Sequence, residues 1–338
     1  MLAQIVKIID IAPIEGADKI EAARILGYWS VIKKGEYKPG DLVCFVFGDT
    51  LLPRKPWNQF LWPKGTDENG PEIRLKTCKF RGQVSQGLIL PISLVGDLSE
   101  GYYLPEGYDV TDILGVKKYE KQVPAQLAGQ IKGGFPNFIP KTDQLNICTY
   151  PEVVAELCGR DIVIHKKYDG TSTTIFYKDG EVSVCSRNFE LKEEDGNLYW
   201  KMAKKYNLPE KLRNYGRNIA FQMESVGPGV NGNKMQLKEN SAFLFDVWDI
   251  DGQFYWDSET VDHLAHEFEI PRVDRIYRGP FDKDLNFLKD IANNSQYEPG
   301  VLCEGIVVRG VKEAYSETLR GRLSGKVISE RFLLKYGE

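Results

Sequence analysis

Up to about Lys121 the chain reads as short strands broken by glycine, proline and aspartate, with runs at residues 4–11, 28–33, 42–47, 73–80 and 87–91 and turns such as Lys38-Pro-Gly-Asp41. Five short strands in a segment of this size suit a small closed barrel. An OB-type barrel is the commonest of these that also binds nucleic acid, and an SH3-like barrel has the same sequence signature.

Residues 121–141 carry three prolines and three glycines without a sustained period, which marks a connection between domains. Beyond it strands and helices mix. Residues 162–165, 173–177, 182–185, 219–223, 243–249 and 305–309 read as strands, with Lys178-Asp-Gly-Glu181 as a hairpin turn, and residues 198–206 and 258–268 as helices. The expected architecture is α+β, an N-terminal barrel over residues 1–121, a linker over 122–141 and a second domain over 142–338.

Several classes are excluded by composition. With 42% hydrophobic and 27% charged residues the chain is that of an ordinary globular protein. It has no apolar run of membrane-spanning length, and Gln4, Lys7 and Asp10 interrupt the N-terminus before a signal core could form, so a soluble intracellular protein is expected, with no membrane partner. The six cysteines form no Cys-x-x-Cys and read as reduced thiols, while His263 and His266 lack a closing metal ligand and read as helix surface. The net charge of -4 argues against binding nucleic acid by bulk charge. The first 122 residues hold 16 basic and 16 acidic side chains, so the acidic excess lies in the second part.

In that part Lys167-Tyr-Asp-Gly170 follows a strand, placing a lysine at its end and a carboxylate two residues on. Alone this is weak, since three fixed residues recur by chance in roughly one chain in ten of this length. Its weight comes from an ordered series of later motifs: Ser186-Arg187-Asn188, Phe221-Gln-Met-Glu224, Phe243-Leu-Phe-Asp246, Glu304-Gly-Ile-Val-Val-Arg309 and Gly325-Lys326-Val-Ile-Ser329. That set resembles the covalent nucleotidyltransferases: DNA ligases, RNA ligases and capping guanylyltransferases. Pro13-Ile-Glu-Gly-Ala-Asp18, Lys33-Lys-Gly-Glu36, Phe80-Arg-Gly-Gln-Val-Ser-Gln-Gly87, Leu114-Gly-Val-Lys-Lys-Tyr119 and Phe138-Ile-Pro-Lys-Thr-Asp143 extend it. Over nearly the whole chain, the sequence is similar to the ATP-dependent RNA ligases of family five, which place an OB domain ahead of the nucleotidyltransferase domain.

The resemblance implies ATP as AMP donor, a divalent metal, Mg2+ or Mn2+, and an RNA or RNA-containing nicked duplex as partner, sealed by a monomer whose 3'-hydroxyl strand is RNA. Lys167 would form lysyl-AMP. A free lysine, with a pKa of about 10.4, is neutral in only about one molecule in a thousand at pH 7, so it needs a cationic neighbour. Asp169 and Glu304 would hold that metal, through its waters, because magnesium dehydrates reluctantly. Glu224 would take a ribose hydroxyl, Phe245 would stack on adenine unless it is a plain core aromatic, and Arg187 would fork a phosphate. Lys326 would neutralise the α-phosphate. Many ligases of this superfamily end in Lys-x-Lys, whereas Lys326 is followed at the second position by Ile328. Lys335 either supplies the missing charge or is a solvated C-terminal lysine. His165, two residues before Lys167, reads as packing or pocket wall.

In the barrel, Arg74, Lys76, Lys79 and Arg81 surround Thr77, Cys78 and Phe80 as a basic, aromatic-interleaved strand suited to a nucleic-acid backbone. The competing function is a non-catalytic protein that binds RNA nicks or ends. The presence of Lys167, Asp169, Glu224 and Glu304 together opposes it. A DNA ligase or capping enzyme would usually carry its OB domain after the catalytic domain, and only 12 residues follow Lys326.

Overall fold

The computed structural model describes residues 1–96, 104–119 and 129–337. The chain forms two units, Met1–Gln122 with Leu333–Glu338, and Val123–Phe332.

The first unit is an OB-fold barrel. Leu42–Val46 runs between Ala3–Lys7 and Leu88–Pro91, and Asp10–Pro13, Ile20–Ile25 and Tyr28–Lys33 form an antiparallel meander. Ile5, Cys44, Val46, Leu52 and Leu90 fill its core. The run read as one strand over residues 73–80 is two. Ile73–Arg74 pairs with Thr50–Leu52, whereas Cys78–Phe80 forms a separate hairpin with Gln83–Ser85. The break falls at buried Leu75, whose amide donates to the Thr50 carbonyl at 2.8 Å and whose carbonyl accepts from the Asp49 amide at 2.8 Å. Turning inward there satisfies both the apolar side chain and its backbone, which releases the next residues from the sheet.

The second unit is built on two sheets. One has seven strands, in the order Ile131–Gly134, Phe189–Leu191, Glu181–Cys185, Thr171–Lys178, Ile219–Val226, Ser241–Asp249 and Phe254–Tyr255. The other has five, in the order Leu145–Asn146, Ser324–Ile328, Gly305–Gly310, Asp161–Lys167 and Arg275–Pro280. Residues 131–134 fall in the stretch read as linker, but they pair with Phe189–Leu191 and belong to the sheet. The glycines at 133 and 134 hid that strand, because they contribute no side chain to an alternating pattern. Residues 121–128 of that stretch lie outside the described residues.

Helices Leu198–Lys205, Leu208–Tyr215 and Ser258–Glu267 pack Trp200, Met202, Leu212 and Leu264 against Ile175, Phe221 and Leu244 of the seven-stranded sheet. The first is capped by Asn197, whose side chain accepts from the amides of Tyr199 and Trp200 at 2.9 and 3.3 Å. The second was not legible in sequence because Pro209 sits in its first turn, a position where proline costs no helical hydrogen bond. His263 and His266 are exposed on the third helix, and all six cysteines are free thiols. Among the described residues no helix is long and apolar enough to cross a membrane.

Candidate active site

The chain leaves the five-stranded sheet at Lys167 and enters the seven-stranded sheet at Thr171, so Tyr168-Asp-Gly170 is the crossing between the two. The crossing requires glycine at 170: a Cβ there would lie 2.3 Å from the Ser225 carbonyl oxygen and 2.9 Å from the Glu224 side chain. The same logic holds at Gly305, where a Cβ would lie 2.2 Å from the Val327 carbonyl oxygen. Asp169 and Glu304 are thus each followed by a residue whose close backbone contact only glycine allows.

The ladder brings the rest together. Lys167 pairs with Gly305, and Val307 pairs with Lys326, so Lys167 and Lys326 flank the strand Gly305–Gly310, and Glu304 immediately precedes it. Lys167 Nζ donates to Glu304 Oε2 at 2.7 Å, both side chains being largely buried. Across the crossing, Glu224 Oε1 accepts from the Gly170 amide at 3.1 Å. Burial alone would push Lys167 toward neutrality, but the carboxylates of Glu304, Glu224 and Asp169 outweigh it and hold its pKa above the ordinary lysine value. Glu224 is pushed up to about 8, by burial first and by Glu304 and Asp169 next, against the favourable charge of Lys167. Lys326 is pushed down to about 8, by burial and by the positive charges of Lys167 and Arg187, against the pull of Glu304 and Asp143. These charges therefore favour the protonated form of Lys167 and weaken that of Lys326.

Asp169 is placed differently from a solvent-facing ligand. It is 7% exposed, forms an ion pair with Lys234 at 3.1 Å and accepts from Asn231 Nδ2 at 3.3 Å. Asn231 Nδ2 also donates to the Gly170 carbonyl at 2.6 Å, so the loop after Ile219–Val226 clamps the crossing. Neither Asn231 nor Lys234 was found from sequence. The only signal was the glycine- and asparagine-rich run Gly227-Pro-Gly-Val-Asn-Gly-Asn-Lys234, which reads as a turn.

The other candidates scatter more widely. Arg187 is exposed after Glu181–Cys185 and pairs with Asp143 at 2.7 Å. Phe245 is half-buried against a cluster that includes Tyr168, Met235 and Tyr297, and its carbonyl accepts from Arg309 at 3.3 Å. Lys335 is exposed in the helix Glu330–Tyr336, with its ammonium 5.2 Å from the Tyr336 ring centre, in the segment that groups with the barrel unit. His165 is buried, and neither ring nitrogen has a hydrogen-bond partner; burial, then the charges of Arg309 and Arg272, holds it well below the usual histidine pKa.

In the barrel, Arg74 is committed to the fold: it pairs with Asp49 at 2.6 Å, and its guanidinium lies 3.9 Å from the ring centre of Tyr119. Lys76, Lys79 and Arg81 are exposed, the last two on the hairpin Cys78–Phe80/Gln83–Ser85 beside Phe80, which is itself 44% exposed.

A two-sheet domain with a lysine and carboxylates gathered at its crossing, preceded in the chain by an OB barrel, defines a nucleotidyltransferase of the ligase type. The RNA ligase family profile matches residues 160–328, and an OB-fold domain profile matches residues 2–92. No curated protein sequence matches significantly. Among solved structures the chain is similar to Naegleria gruberi RNA ligase with pyrophosphate, at 32% identity over 98% of this chain and 97% of that one, with a TM-score of 0.87. A variant of the same ligase with ATP and manganese matches at 32% identity over 100% and 99% of the two chains, with a TM-score of 0.89. Another variant, with AMP and manganese, matches at 32% identity over 98% of each chain, with a TM-score of 0.87. The chain belongs to the RNA ligase family, the ATP-dependent polynucleotide ligases.

Proposed function

We propose that the protein seals nicks with a 3'-hydroxyl and a 5'-phosphate through a lysyl-AMP intermediate, the 3'-hydroxyl strand being RNA. The observation that carries this is the Lys167–Glu304 pair at 2.7 Å, with Glu224, Asp169 and Lys326 in electrostatic reach. Lys167 Nζ attacks the α-phosphorus of ATP in line, a P–N bond forms as the bond to the β-phosphate oxygen breaks, and pyrophosphate leaves while Nζ loses a proton. Lys326 meets the charge that gathers on the α-phosphate, Glu224 takes a ribose hydroxyl, Phe245 faces adenine, and exposed Arg187 takes a phosphate. Lys335 is the candidate for the second charge that Lys-x-Lys would supply. AMP then passes to the 5'-phosphate, and attack by the 3'-hydroxyl expels it.

A divalent cation, Mg2+ or Mn2+, would be held largely through water: the carboxylates of Glu304 and Asp169, which here pair with Lys167 and Lys234, would turn toward it, and among the described residues no three side chains close into an all-protein cage. Bound there, the cation supplies positive charge that competes with Lys167 for Glu304 and favours the neutral amine. The test uses α-labelled ATP and nicked duplexes differing only in the sugar of the 3'-hydroxyl strand. Covalent label and sealing of the RNA-terminated nick are expected. Label without preference between the two sugars would refute the strand assignment, and no label would refute the chemistry.

The barrel hairpin is expected to hold the duplex. Replacing Lys76, Lys79 and Arg81 together by glutamine should leave self-adenylation unchanged while weakening duplex binding. The slope of log binding constant against log salt should fall by roughly 2 to 3, about one for each phosphate that is no longer neutralised. An unchanged slope would move the nucleic-acid surface elsewhere.

A further inference from the structure

The hairpin upstream of Glu304, Gln296–Glu298 paired with Val301–Leu302, carries a tyrosine that no motif singles out. The Tyr297 hydroxyl donates to the main-chain oxygen of Lys167 at 2.7 Å and accepts from the amides of Asp169 at 3.0 Å and Glu304 at 3.1 Å. One proton and two lone pairs are the whole capacity of a phenol, and all three are used on the backbone of residues assigned to the chemistry. The position of this hydroxyl matters because the ladder between Asp161–Lys167 and Gly305–Gly310 ends at the pair Lys167 and Gly305. Beyond that pair the strands have no backbone bonds to each other, and the phenol replaces the next rung. Its ring is fixed as well, buried edge-on to Tyr168 with ring centres 5.4 Å apart. The Cys303 thiol also reaches the Lys167 oxygen, at 3.3 Å, but a thiol is a weak donor and this one is shared with the Gly305 oxygen at 3.1 Å.

We propose that Tyr297 is a positioning residue for lysine adenylation: its hydroxyl locks the backbone of Lys167, Asp169 and Glu304 into one arrangement and so fixes where Nζ stands relative to its carboxylates. The inference rests on Lys167 being the nucleophile. Displacements well under an ångström matter at such a site, because a misplacement of about 1 Å costs on the order of a hundredfold in rate.

The test is Tyr297→Phe in the full chain, which keeps the ring and removes only the oxygen. Two rates are read on one preparation: single-turnover formation of lysyl-AMP, and sealing of a nick whose 5' end is supplied already adenylylated, where Lys167 is not the attacking group. The first is expected to fall about 10- to 100-fold, with half-saturating ATP changed less than about threefold, and the second to fall less than about threefold. Because both rates come from the same sample, their ratio is independent of the fraction folded. Adenylation at the wild-type rate, or an equal fall in both reactions, would overturn the inference and leave Tyr297 a scaffold residue. Absence of label in the wild type would overturn the ligase chemistry itself, and the inference with it.

Discussion

Lys167→Ala is expected to form no covalent AMP adduct with α-labelled ATP while remaining folded. The side chain ends a strand at a crossing between sheets and is partly exposed, so its loss opens no apolar cavity. It does strip Glu304, Glu224 and Asp169 of a shared counterion. Glu224, already raised to about 8, can respond by staying protonated, which limits the cost to the fold. Lys167→Arg separates the two roles of the residue. A guanidinium can keep the ion pair with Glu304 but does not deprotonate, so it should restore the electrostatics and leave adenylation below detection. The measurement is gel-resolved label together with a melting curve on each variant. Label retained by either folded variant would remove Lys167 as the nucleophile.

How much of the fold and the site is readable in the sequence depends on whether a residue's reason is local. Lys167-Tyr-Asp-Gly170 and Glu304-Gly305 stand out because the glycines are demanded by backbone contact at 2.3 and 2.2 Å, which leaves a fixed dipeptide in the text. The helices at 198 and 258 were legible from the spacing of their apolar residues. Tyr297, Lys234 and Asn231 were not. Each is a common residue in a turn-rich stretch, and each acquires its role from partners up to 130 positions away. The barrel was legible as a class but not strand by strand, since Leu75 turns inward in a run that otherwise continues the β pattern. In the same way Arg74, in sequence one of four equal basic residues, is taken up by Asp49 and Tyr119, so the usable cationic surface of the hairpin is smaller than the sequence suggests.

The largest expected effect on stability is at Asp246. It is 1% exposed and sits on a strand of the seven-stranded sheet, yet its partners come from elsewhere: Arg309 on the five-stranded sheet, in close contact with Oδ1, and Arg322, whose two terminal nitrogens donate at 2.8 and 2.9 Å. Arg322 continues to Glu313 through Nε at 2.7 Å. One carboxylate thus braces two sheets, and removing it leaves Arg309 buried without its counterion. Asp246→Asn keeps the shape and deletes the charge, so it should destabilise the domain by about 3 to 5 kcal/mol, the usual cost of orphaning a buried charge. In a domain of this size that lowers the melting temperature by roughly 10 °C. The pH dependence has a definite sign. Burial works against the Asp246 carboxylate, but Arg309 and Arg322 outweigh it and bring its pKa down to about 2, below an unfolded value of about 3.9. Its contribution is therefore fully present above about pH 4 and is lost as the pH falls through 2. Wild type and Asp246→Asn should differ most at neutral pH and converge as the pH falls through 2, below which both carry a neutral side chain. Equal melting at pH 7, or a gap that persists unchanged into acid, would mean that the two sheets are held by packing and that the ion network is incidental.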